Sequence, residues 1–509
     1  MKRLYSQVST TSGATAMAEE REIQTPLLQN SPSSSTSEIQ RHIEDEILPF
    51  SPSEVPESEP HDVITSSSSV ARKNQRLVSL DVFRGLTIAL MILVDDAGGA
   101  FPSINHSPWF GVTIADFVMP FFLFIVGFSV GLVFKKTDSK STATKKVIIR
   151  VIKLFLLGIF LQGGFFHGRK KLTYGVDVKK IRWLGVLQRI SIGYLLASVS
   201  EIWLANGLVV DSHLAFVRRY YIQWMVPVLL CITYICLLYG LNVPSWEFDL
   251  NGANSTLLPS DVQTVQCGVR GNLDPPCNSA GFIDRLLLGE SHLYQRPVYR
   301  RVMECSVNSP DYGPLPPNSP GWCLAPFDPE GILRSSSLMA AVTCFVGLHF
   351  GQIIAHFKDH FQRMFLWSVS ASLLLISGYV LQALGMPLSK PLYTVSYMCI
   401  TAGASGLIFV IIFYLADVKR IRKPVILLQW MGMNALLIYA LAACEIFPVV
   451  LQGFYWGSPE NNLVDGTESF LQEVLSSKNW GTFAFVLLEI IFWGLVAGLL
   501  HMKRIYVKL

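Results

Sequence analysis

Apolar residues along this chain gather into long runs, with no alternating strand pattern and no sustained heptad. From Leu77 onward about ten runs recur, each near the roughly 20 residues a helix needs to cross a hydrocarbon layer. Their expected limits are 79–97, 113–134, 147–166, 183–205, 220–241, 333–355, 362–384, 393–416, 424–447 and 480–500. This pattern predicts an all-α fold, a polytopic transmembrane helical bundle spanning residues 77–509. Two polar segments interrupt it, 242–332 and 454–479. Residues 1–76 hold no apolar run; SPSSSTSE and PFSPSEVPESEP read as a disordered tail that cannot bury enough surface to offset chain entropy.

Basic residues orient the spans. Arg72, Lys73 and Arg76 precede the first, Lys135, Lys136, Lys140, Lys145 and Lys146 separate the second and third, and Lys358 and Arg363 follow the sixth. Lys419, Arg420, Arg422 and Lys423 precede the ninth, and Lys503, Arg504 and Lys508 end the chain. All fall on one side, which the positive-inside rule makes cytosolic together with both termini. The connector HGRKKLTYGVDVKKIR, 167–182, is a basic exception on the other side and suits a polyanionic ligand or lipid.

Cysteines agree with that orientation. Of nine, Cys267, Cys277, Cys305 and Cys323 share the 242–332 segment, which predicts a luminal or extracellular loop closed by two disulfides, with three pairings open. The sequon Asn254-Ser255-Thr256 lies in the same loop and marks Asn254 for glycosylation. Composition sharpens the class: 51% of residues are hydrophobic and 15% charged, against about 25% charged in soluble domains. With no zinc-finger spacing and no basic stripe interleaved with aromatics, nucleic acid is not an expected partner; membrane lipids are.

Charges inside apolar runs point to function, because charge at membrane depth is costly. Asp95, Asp96, His106, Asp116, Gln188, Arg189, Asp328, Glu330 and Glu445 are all expected toward the luminal half, with Asn434 deeper, so a shared polar cavity is the economical reading. His106 can take and return a proton near neutral pH. No second histidine stands at ligand spacing, so no metal is expected.

Six long motifs invite a comparison: DVFRGLTIALMIL (81–93), INHSPWFGVTIADFVMPFFLFIVG (104–127), RWLGVLQRISIGYLL (182–196), AGFIDRLLLGESHLYQ (280–295), FDPEGIL (327–333) and LQWMGMNALLIY (428–439). From about Leu80 onward the chain resembles the heparan-alpha-glucosaminide N-acetyltransferase family of transmembrane acetyltransferases, in a plant-type form lacking the large N-terminal luminal domain. The resemblance implies acetyl-CoA as donor and an amino sugar or glycan as acceptor. It makes His106 the active-site histidine, with Trp109 and Gly111 completing its motif; carboxylates at 95, 96 or 116 could orient the imidazole, and Asp95 and Asp116 are taken as its catalytic companions.

Gln188, Arg189, Arg182 and Lys179 are then expected to hold acetyl-CoA, and Trp109, Asp328, Glu330, Asn434 and Glu445 the acceptor. The family implies a homodimer and a lysosomal or vacuolar membrane, with plasma membrane or Golgi left open. Two departures bear on the acceptor: Asp95 stands where the family usually has Asn, and Ala443-Cys444-Glu445 keeps only the Glu of a Gly-His-Glu. Transfer could run directly, with His106 as base, or through an acetylated His106. Two alternatives are a multi-pass transporter of a small polar solute and a member that has lost catalysis. Retention of His106, Asp116, Gln188, Arg189 and Glu330 stands against the second.

Overall fold

The computed structural model describes residues 77–134, 139–161, 181–205, 212–249, 262–293, 297–325, 335–443, 451–458 and 460–507. The 1–76 tail, Lys179, Asn254, Asp328, Glu330 and Glu445 lie outside them. Each of the ten expected spans coincides with a helix or a bent helix pair. The first five are α1 (Val78–Ala97), α2 (Val118–Val133), α3 (Lys140–Phe160), α4 (Val186–Leu204) and α5 (His213–Gly240). After the loop helix α6 (Ser279–Leu288) come α7 (Ser335–His356), α8 (His360–Ala383), α9 (Val395–Phe413), the pair α10 (Ile426–Met433) and α11 (Ala435–Ala443), the short α12 (Leu463–Val474) and α13 (Lys478–Met502).

Six described segments are long and apolar enough to cross a membrane unaided, and the bent pair makes a seventh. The protein is thus an integral membrane protein. α1, α3 and α4 have comparable length but carry charges such as Asp81, Arg84, Lys145, Lys146, Arg150 and Glu201. Contacts with their neighbours satisfy several of these: Arg84 Nη2 donates to Ser129 Oγ at 2.5 Å, and Glu201 Oε2 accepts from Gln223 and Gln352 at 3.0 and 2.7 Å.

Small residues set the closest packing, as expected where lipid gives helices no hydrophobic drive to associate. A Cβ on Gly127 would stand 1.8 Å from the Cys344 carbonyl, and one on Gly347 2.0 Å from that of Phe124. Gly131 and Gly351 repeat the arrangement one turn further along, so α2 and α7 meet backbone to backbone. Beside this seam Phe83, Phe124, Phe128, Phe350, Trp367 and Phe409 form a buried aromatic cluster.

Two features depart from the expected pattern. The single span 424–447 is broken, with α10 and α11 meeting at 75° around Asn434. Its backbone leaves the helical region (φ −117°, ψ 33°), while its amide donates to the Ile505 carbonyl at 3.1 Å and accepts from Val507 N–H at 3.3 Å. The polar loop also contains two antiparallel ribbons, Asn242–Val243 with Val269–Arg270 and Trp246–Asp249 with Val262–Val265. Disulfides Cys267–Cys277 and Cys305–Cys323 resolve the pairing left open by the sequence. Their cluster includes Trp109, Leu184, Phe248, Tyr299 and Leu392, so the loop packs on the connector after α1, the start of α4 and the α8–α9 turn.

Candidate active site

The connector from α1 to α2 is shaped by backbone needs before any chemistry. Gly111 has φ +103°, a conformation L side chains rarely adopt, and its N–H donates to the Leu388 carbonyl at 2.8 Å. Trp109 is 1% exposed and its indole N–H donates to the Leu273 carbonyl at 2.9 Å, clipping the connector to the disulfide-bonded loop. Thr113 then caps the turn Ile114–Phe117: Asp116 Oδ2 accepts from Thr113 N–H and Oγ1–H, both at 3.0 Å, and from Ser107 N–H at 3.3 Å. That reciprocal cap, carried by T-x-x-D in the sequence, turns the carboxylate inward.

Asp116 is wholly buried, and its other oxygen, Oδ1, lies 2.9 Å from His106 Nδ1. A buried charge persists only when paired and hydrogen-bonded, and this one has donors on both oxygens. With Nδ1–H directed at Asp116, the imidazole presents the Nε2 lone pair, the arrangement of a base held by a carboxylate. The His106 side chain is 37% exposed.

Lys390 completes the group. Its Nζ lies 2.8 Å from His106 Nδ1, 3.2 Å from Nε2 and 3.5 Å from Asp116 Oδ1. Beneath, the Tyr397 hydroxyl donates to the Asp116 carbonyl, and the Tyr393 and Thr343 hydroxyls meet at 3.0 Å. Arg189 points Nη1 at Met119 Sδ, 3.8 Å away and about one helical turn past Asp116. Gln188 is 1% exposed, and among the described residues neither atom of its amide has a hydrogen-bond partner. Such an orphaned amide, next to a buried guanidinium, suits a polar group on a bound ligand.

Residues 76–241, which carry His106, Asp116, Gln188 and Arg189, match the model of the family described as heparan-alpha-glucosaminide N-acetyltransferase, catalytic. Over that segment the chain is similar to this family. It is 27% identical over 446 residues to the heparan-alpha-glucosaminide N-acetyltransferase of Homo sapiens, and 26% identical over 447 residues to that of Mus musculus. Each alignment covers 82% of this chain and 60% of the relative, so the chain spans about three fifths of their length.

Within this chain the expected residues separate. His106 and Asp116 are brought together, Arg189 reaches Met119 about a turn past Asp116, Gln188 turns toward Gly158 on α3, and Arg182 is half-buried just before α4. Asp95 and Asp96 end α1 with exposed side chains. Trp109 serves as a buried anchor. Asn434 engages the C-terminal segment; Gly432, two residues earlier, packs on the carbonyl of Asp81, at the far end of α1 and more than ~20 Å of helix from the His106 connector.

Sequence reasoning missed Lys390, Thr113 and Tyr397. It also missed the support behind His106, whose N–H donates to Asn105 Oδ1 while Asn105 Nδ2 donates to Asp311. Arg301 follows, bonded to the Pro310 carbonyl; burial pushes its guanidinium below the ordinary value, opposed by Tyr312, Asp311 and Asp116. Only Thr113 left a local signal, the capping spacing. A cleft of about 410 Å³ lined by Phe110, Gly111, Gln382, Gly385, Pro387 and Leu388 adjoins the connector. Among the described residues no group of three His, Cys, Asp or Glu could hold a metal.

Proposed function

We propose that this protein moves the acetyl group of acetyl-CoA to the amine of an amino sugar or glycan at the luminal face of its membrane. The observation carrying this reading is the His106–Asp116 pair, its imidazole 37% exposed, inside the region that matches the family's catalytic domain. Acyl transfer needs a base that removes the amine proton as nitrogen attacks the thioester carbon. His106 Nε2 takes that proton, Asp116 steadies the imidazolium, and Nε2 returns the proton to the departing thiolate.

Gln188 and Arg189 are the described residues suited to the donor, the first through its orphaned amide and the second through its charge. Arg182 and Lys179 are assigned to its phosphates, and Asp328, Glu330 and Glu445 to the acceptor, on their charge. Of the carboxylates near His106, Asp116 takes the orienting role ahead of Asp95. A lysosomal or vacuolar membrane, cytosolic termini and a homodimer belong to the same reading.

Purified protein given acetyl-CoA labelled in its acetyl group, with glucosamine and alongside His106→Ala, tests it. Label on glucosamine with the wild type and none with the variant supports it. Folded wild type that leaves glucosamine and a panel of other amines unlabelled overturns it, and solute uptake without acetylation would favour transport.

A further inference from the structure

We propose that Lys390 is a further catalytic residue: its ammonium holds the oxyanion formed when an acyl carbon is attacked beside Nε2 of His106. The proposal deepens the acetyl-transfer reading and rests on it for the identity of the acyl group.

Geometry comes first. Nζ is 2.8 Å from one ring nitrogen and 3.2 Å from the other. A donor aligned with one lone pair would be much farther from the opposite nitrogen, so the ammonium lies over the ring. It therefore stands beside the atom that takes the amine proton as the acyl carbon is attacked. Asp116 does not depend on it for hydrogen bonding: Oδ2 accepts from Ser107 and Thr113, Oδ1 from His106, and Lys390 stays 3.5 Å away. With a side chain 25% exposed, Lys390 opens to the outside, as His106 does.

Its backbone is fixed in advance. Within 386–394, Tyr393 N–H donates to the Lys390 carbonyl at 3.0 Å, Thr394 N–H to the Ser389 carbonyl at 3.2 Å, and Ser389 N–H to Thr394 Oγ1 at 3.2 Å. The Gly111–Leu388 bond joins this turn to the His106 connector. A charge fixed before reaction stabilises developing charge without reorganisation, and losing one such group costs about 10²–10³-fold in rate. Arg189, another nearby cation, lies a turn lower with Nη1 toward Met119.

The step balances. The acceptor nitrogen bonds to the acetyl carbonyl carbon, the π pair moves to oxygen beside Lys390, and Nε2 receives the amine proton. The oxygen's pair then reforms the carbonyl as the C–S bond breaks, and the thiolate takes the proton from Nε2. Lys390 ends in the protonation state in which it began.

Carbethoxylation of His106 by diethyl pyrocarbonate passes through the same kind of oxyanion and requires no acetyl-CoA. Its rate would be followed by mass spectrometry of the His106 peptide in the full chain, on the high-pH plateau where imidazole is neutral in every variant. Lys390→Gln and Lys390→Cys should be slower by about tenfold or more. Treating Lys390→Cys with 2-bromoethylamine, which rebuilds an amine at similar reach, should restore most of the rate while leaving treated wild type unchanged. That comparison uses one folded polypeptide before and after alkylation. Equal plateau rates in all variants, or no recovery after alkylation, would overturn the proposal. A Lys390-dependent rate in a protein that acetylates no amine would keep Lys390 and reject the acetyl-transfer reading.

Discussion

The N–H of Gly111 donates to the carbonyl of Leu388 across 2.8 Å, and this bond joins the two connectors that carry His106 and Lys390. Because Gly111 sits at φ +103°, an alanine there keeps the donor but strains the backbone by about 1–3 kcal/mol. Gly111→Ala is therefore expected to fold, with a lower melting temperature and a kcat reduced about 10–100-fold through misalignment. Steady-state kinetics beside a thermal melt check both halves.

Replacing Asp116 by Asn turns an acceptor with donors on every side into a group that must present N–H to one of them. Thr113 and Ser107 N–H hold Oδ2, so the amide nitrogen is driven toward His106, fixing the wrong tautomer. The expected loss in kcat is about 10³–10⁴-fold, with stability reduced by about 1–3 kcal/mol. A variant of near wild-type rate would remove Asp116 from the mechanism.

The seam between α2 and α7 leaves no room for a side chain. Gly347→Ala would place a methyl 2.0 Å from the Phe124 carbonyl, forcing the helices apart at a cost of about 1–3 kcal/mol. Thermal unfolding of the reconstituted protein should show the loss as an earlier transition. An unchanged melting temperature would mean that this contact is looser than described.

Removing the Cys267–Cys277 bond with paired serines loosens the loop on which Trp109 rests, since Leu273 lies within the closed segment. Disulfides of short span typically contribute about 2–4 kcal/mol. The variant should keep its helical circular dichroism yet lose transfer activity, and Trp109→Phe should weaken activity in the same direction. Full activity in both variants would separate the loop from the site.

What the sequence made legible follows from the range of the interactions concerned. Apolar runs give helices, so the described part of each expected span fell on a helix or bent pair, though α3 and α5 begin seven residues before the expected limits. Ten residues separate His106 from Asp116, on one connector and its cap, so sequence reasoning grouped them. Lys390 stands 284 residues from His106, and a single lysine in a short connector looks like an ordinary solvated charge. Asn434 was expected near the site because an apolar run was assumed to be straight. Its break is fixed by the chain end at Ile505 and Val507, which no local pattern announces. The cysteine pairing depended likewise on how the loop closes.

Trp109 has a consequence for the life of the molecule. The indole that steadies the reactive connector is bonded to chain lying between two cysteines that become joined. Helices can enter a membrane while those thiols are still reduced, and if the indole bond needs the closed loop, the connector would gain its finished support on oxidation. A newly made copy would thus be inserted first and competent later, its chemistry withheld until it has passed through an oxidising compartment.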